Sequence, residues 1–177
     1  MSAQGGVLRG GAALEAKLAE ISKRVTSAAE VQVGFLEGAR YPDGTSVAMI
    51  AAVQNWGAPS RGIPPRPFFT NMIDKHGKEW GGQVAQLLER TGGDARKSLE
   101  LMGVHIQGQL REEIIATNTP PNSMATNILK NRFPMGGQTF ADVLQAWSDA
   151  AAGVTAPTGK PLVHTGHMLG SVESEVK

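Results

Sequence analysis

Four histidines hold most of the chemical potential of this sequence, because its 177 residues include no cysteine. Thiolate nucleophiles, thiolate metal sites and disulfide frameworks are thereby excluded. His164 and His167 stand three apart, a spacing that could set two imidazoles on one helical turn. A catalytic zinc needs a third ligand and usually a general-base carboxylate. No HExxH occurs, and no acid lies between or immediately beside this pair. A metal-dependent hydrolase is therefore the weakest of the functions weighed. His76 lies in an apolar stripe and reads as a packed side chain, and His105, beside Ile106, as a helix flank or partner contact. Ser46, Ser60, Ser123 and Ser171 lack a GxSxG setting. Glu112 with Glu113, and Glu173 with Glu175, read as solvated faces, since a glycosidase pair needs a cleft around it. Neither GxGxxG nor GxxxxGK[ST] occurs, so the paired glycines read as turns. Arg61, Arg66, Lys75 and Lys78 could touch phosphate, but they are sparse and lack interleaved stacking aromatics. The reading is a protein that is not an enzyme, with no cofactor and no metal.

The elements around these residues predict an α+β fold: a small mixed or antiparallel sheet packed with long helices, extended loops and a flexible N-terminal arm. Apolar residues make up 41% of the chain but aromatics only 5%, so the core must be mostly aliphatic. Twenty-two glycines and 10 prolines imply long irregular segments, and a net charge of +1 gives no overall field toward DNA or a membrane. No apolar run reaches membrane-spanning length and no signal-type h-region is present, so the chain is expected to be made in the cytoplasm.

Residues 1–11 read as the arm and 12–177 as one domain. Leu14, Leu18, Ile21 and Val25 predict an amphipathic helix, and Val31, Val33 and Phe35 alternate as a strand does. Tyr41-Pro42-Asp43-Gly44 is a turn signal, after which Thr45 or Ser46 can cap a helix. A long helix is expected from about Pro67 to Arg90. A Gly-Gly turn and an Asp94 cap then open a second, to about Ala116 with the stripe Leu99, Met102, Ile106, Leu110 and Ile114, so an antiparallel pair is expected. Thr139 and Asp142 resemble a capping box, opening a short helix whose apolar residues are Phe140, Val143, Leu144, Trp147 and Ala151. Val172 and Val176 predict a closing strand that pairs near Val31–Phe35.

At the centre lies Val47–Phe69. Val47, Ile50, Ala51 and Gln54 form one helical face, Gly57 suits a left-handed C-cap, and Pro64, Pro65 and Pro67 stiffen the connector to the long helix. A stiff loop loses little entropy on docking, so Trp56, Arg61, Ile63, Arg66, Phe68 and Phe69 are the candidate protein-interaction residues. Phe68 and Phe69 could instead simply anchor the loop on the core, and Phe69 falls on the helical stripe.

The same stretch carries a resemblance. Ala51-Ala52-Val53-Gln54-Asn55-Trp56-Gly57 followed by Ile63-Pro64-Pro65-Arg66-Pro67-Phe68-Phe69 resembles phage tail-completion and head–tail joining (neck) proteins, including Z-type minor tail proteins. Pro120-Pro121-Asn122-Ser123-Met124-Ala125-Thr126 and Lys160–Val172 resemble two further segments of that family, in the same order. His164 stands where the family pattern usually has Asp, and residues 131–158 look like an insertion. The resemblance implies a structural virion protein of the tail or neck. It would form a homo-oligomeric ring, expected as a hexamer, at the head-proximal end of the tail, around the channel that genomic DNA traverses. The partners it implies are further copies of the chain, head–tail connector or stopper proteins, and tail terminator and tail tube proteins, with no sequence-specific DNA binding and no membrane. A tail terminator capping the tube is the alternative.

Overall fold

The computed structural model describes residues 11–26 and 30–177. Most of the expected 1–11 arm lies outside the described residues. The architecture is α+β: seven helices and a two-stranded antiparallel ribbon among the described residues.

Two long helices form the backbone of the fold. Residues Phe68–Arg90 form α3 and Ala95–Ala116 form α4, counted in chain order from α1 (Gly11–Val25) and α2 (Val47–Trp56). Gly92 and Gly93 make the turn between them at positive φ, and the Asp94 carboxylate accepts from Lys97 N to cap α4. The helices run antiparallel, as three cross-links along their length show. The Thr91 and Ser98 hydroxyls lie 2.7 Å apart near the turn. Trp80 Nε1 donates to Gln109 Oε1 at 2.9 Å, and Lys75 Nζ meets Glu113 Oε2 at 2.6 Å. The predicted α4 stripe is the centre of the core: Met102, Ile106, Leu110 and Ile114 are buried with Val47, Phe68 and Met72.

The ribbon pairs β1 (Val31–Gly34) with β2 (Glu173–Val176), Val31 opposite Val176. Both strands lie on α4 at Gly103, where an added Cβ would stand 2.9 Å from Ser174 Cβ and from Val31 Cγ2. The Val172 carbonyl also accepts from Gln107 Nε2 and Arg111, which fixes the start of β2 on the same helix.

Two predicted amphipathic helices differ from expectation. In α1 every side chain described, Leu14 to Arg24, is exposed, so Leu14, Leu18 and Ile21 are not covered by any of the described residues. In α6 (Phe140–Ala151) the Thr139–Asp142 capping box forms as expected. Yet Phe140, Leu144 and Trp147 are exposed, and small residues do the packing instead. Ala146 is buried in a separate small core with Ala125 and Ile128 of α5 (Met124–Arg132). Close approach of the two helices selects alanine there, and the large side chains are left on the outer face.

Candidate functional site

The predicted contact residues sit at the junction between α2 and α3. Ser46 caps α2 by accepting from Met49 N, and its buried face is Val47 and Ala51, as expected. Gly57 ends the helix at φ 78°, ψ 173°. The φ is positive, but the ψ is extended, so this is not the left-handed cap expected. A Cβ there would stand 2.8 Å from Pro65 N and 2.9 Å from Ile63 O, so close backbone approach requires glycine. A short 3-10 turn, Pro59–Arg61, is closed by the Ala58–Ile63 bridge, and the chain then runs extended to Pro67. Pro67 has no side chain to cap α3, and Asn55 supplies what is missing. Its buried Oδ1 accepts from Phe69 N at 3.0 Å and Thr70 N at 3.4 Å, while Nδ2 donates to the Thr70 hydroxyl. One amide therefore ties the end of α2 to the start of α3.

Of the six candidates, Trp56 and Arg61 are exposed, Trp56 by 71%, and Ile63 and Phe69 are half-buried. For Arg66 and Phe68 the expectation of a surface contact is corrected. Phe68 is fully buried and meets Phe35 edge-on, ring centres 6.3 Å apart. Arg66 is only 5% exposed, and its guanidinium is consumed inside the chain. Nη1 donates to Gln54 Oε1 at 2.8 Å, Nε to Pro120 O at 2.8 Å and Nη2 to Pro121 O at 3.1 Å. Arginine alone offers a planar fork of this reach. Burial holds its pKa below the usual value without discharging it.

A second cation continues the junction. Lys130, on α5, donates from Nζ to the carbonyls of Lys160, Pro161 and Val163. Burial, and then the nearby Arg66 charge, push the Lys130 pKa down to about 8. Asn122 Nδ2 donates to Gly159 O, and Gly159 N donates back to Asn127 Oδ1. Two of the segments that carry the family resemblance are thus bonded directly, the first to the second through Arg66. The third is held to this node by Lys130, which follows the second segment, and Asn122 of the second segment bonds to Gly159, which precedes the third. Sequence reasoning quoted Asn55 within a motif but gave its side chain no role, and it missed Lys130 and Asn127, which carry no motif. The one available signal was the polar Asn55 at the end of an apolar helix.

The two histidines do not form a metal site. His167 opens a short helix, α7 (His167–Gly170). Its Nε2 is 2.7 Å from Arg40 O, and its ring lies on Tyr41, centres 4.8 Å apart. His164 instead bonds to the Phe133 backbone, and burial keeps its pKa below the ordinary histidine value. Both line an open cleft of about 770 Å³ with Tyr41, Asp43, Gln54 and Met135. No group of three His, Asp or Glu side chains able to hold a metal occurs among the described residues. His76 is half-buried on α3, and His105 is exposed, 3.0 Å from Gln109 Nε2. No helix among the described residues is long and apolar enough to cross a membrane.

Comparisons with protein-family models, with curated proteins and with solved structures find no match.

Proposed function

We propose that this chain is a structural component of a phage neck, a tail-completion or head–tail joining protein that assembles as a ring at the head-proximal end of the tail. One observation carries the reading. Two sequence segments that resemble that family, more than 50 residues apart, bond directly through Arg66, and the third is tied beside them through Lys130, just past the second. Short motifs that matched by chance would have no reason to bond to one another. The node does not resemble a reaction centre: its cations are spent on backbone carbonyls. It braces the end of α2 and the loop that follows, where Trp56 and Arg61 are exposed. An exposed tryptophan at a helix end, held beside a proline-stiffened loop, is a low-entropy anchor for another protein. In this reading Arg66 supports the contact from behind and does not make it.

The test is electron microscopy of particles assembled with a chain carrying Trp56→Ala and Arg61→Glu. Heads and tails should accumulate unjoined while the purified variant keeps the Tm of the parent. Normal joined particles, or particles in which the chain is absent from the neck, would refute the reading.

A further inference from the structure

The described residues leave uncovered both an apolar helix face and an apolar groove. Leu14, Leu18 and Ile21 of α1, at steps of four and three, are 61%, 56% and 46% exposed. A helix of 15 residues is marginal in water unless an apolar face is covered. The groove, about 340 Å³, lies between β1 and the α3–α4 pair, lined by Val31, Val33, Phe69, Ile73, Trp80 and Val84. Its one indole N–H is already satisfied by Gln109, so nothing polar in it waits for a partner. Val33 and Phe69 also line a second depression of about 210 Å³ that reaches Trp56, which extends the apolar surface along β1.

We infer that α1 of one copy lies in the β1–α3–α4 groove of a second copy. The dimensions agree: Leu14 to Ile21 spans about 10 Å of helix, and the four residues of β1 span about 13 Å. The helix face is aliphatic and the groove aliphatic and aromatic, so each can bury the other without stranding a polar group. The chain's own α1 does not fill the groove. It rests chiefly on α4 and joins a ribbon that is fixed at Glu30 by two backbone bonds to Lys177. Each copy offers one helix and one groove, different surfaces, so the contact is head-to-tail and closes into a ring wherever the rotation permits. It supplies the neck reading with a subunit-to-subunit contact and rests on that reading only for where assembly occurs.

The absence of native cysteine makes the test direct. Leu18→Cys and Ile73→Cys single variants of the full chain are mixed under mild oxidation and the products weighed. The expected product is a disulfide-linked heterodimer, in yield about tenfold above that of Leu18→Cys paired with a Thr155→Cys control, because docking raises the effective concentration of the two thiols. In sedimentation, Leu18→Glu and Ile73→Glu should each weaken self-association on the order of 10-fold or more, since each buries a charge against apolar surface. Mixing the two restores one intact helix–groove pair and hence a dimer. No heterodimer above control overturns the inference. So does a Leu18→Cys, Ile73→Cys double variant that links within one chain and stays monomeric. Neither result depends on phage particles, so failure here is distinct from failure of the neck reading.

Discussion

Replacing Arg66 by methionine tests the node most directly. Methionine keeps much of the aliphatic volume and removes the three donors. The acceptors then decide the magnitude. Pro121 is exposed, so water can replace the bond to its carbonyl, whereas Gln54 and Pro120 are half-buried. Two charge-assisted bonds lost at partly buried acceptors cost about 1.5–3 kcal/mol each. Removing the guanidinium returns part of the desolvation cost that lowers its pKa. The net loss is about 2–4 kcal/mol, or roughly 4–16 °C in Tm for a chain of this size. Arg66→Lys should fall between, because one ammonium cannot reach three acceptors in a planar fork. Thermal and urea unfolding followed by circular dichroism would measure both. A Tm within about 2 °C of the parent for Arg66→Met, together with lost particle assembly, would refute the internal clamp and restore Arg66 as a surface contact.

Lys130 has a folded pKa of about 8 against 10.5 for the free side chain, so between those values the unfolded chain binds more protons. The cost of keeping this ammonium charged is therefore fully present below pH 8 and is relieved as pH rises toward 10.5. Relative to Lys130→Met, the parent should gain stability on the order of 1 kcal/mol across that window, after allowance for solvent screening of a half-exposed group. Urea midpoints of both proteins, taken at about pH 7.5 and about pH 10, would read this. Gly57→Ala should cost on the order of 3 kcal/mol, since its Cβ meets backbone at 2.8 Å. Gly62→Ala, at φ 66° in open space, should cost only about 1 kcal/mol. Asp94→Ala removes the α4 cap and should lower stability by about 1 kcal/mol, readable in the same unfolding experiment.

Local rules made much of the fold legible. The α3–α4 hairpin follows from a 3.6-residue stripe, a Gly-Gly turn and an Asp cap, and all three act within a few residues of one another. The closing strand pairs with Val31–Gly34, as the alternation at Val31 and Val33 and at Val172 and Val176 suggested. What sequence could not show was which side of an amphipathic helix finds a partner. In α6 the hydrophobic residues suggest Phe140, Leu144 and Trp147 as the inner face, but close packing on α5 favours Ala146. In α1 none of the described residues covers Leu14, Leu18 or Ile21. The site was half legible for a related reason. Proline spacing identified the stiff loop, with Arg61 exposed on it and Trp56 exposed at the helix end before it. An arginine between prolines looks like a surface residue until its acceptors, more than 50 positions away, are brought beside it.

Those acceptors have a consequence for how the chain can change over time. Arg66 and Lys130 grip main-chain oxygens at 120, 121, 160, 161 and 163, and every residue type has such an oxygen. Side chains at those positions are free to drift without loosening the brace, provided the path of the backbone is kept. Two basic residues and a handful of prolines can thus hold a shape while most of the letters around them turn over.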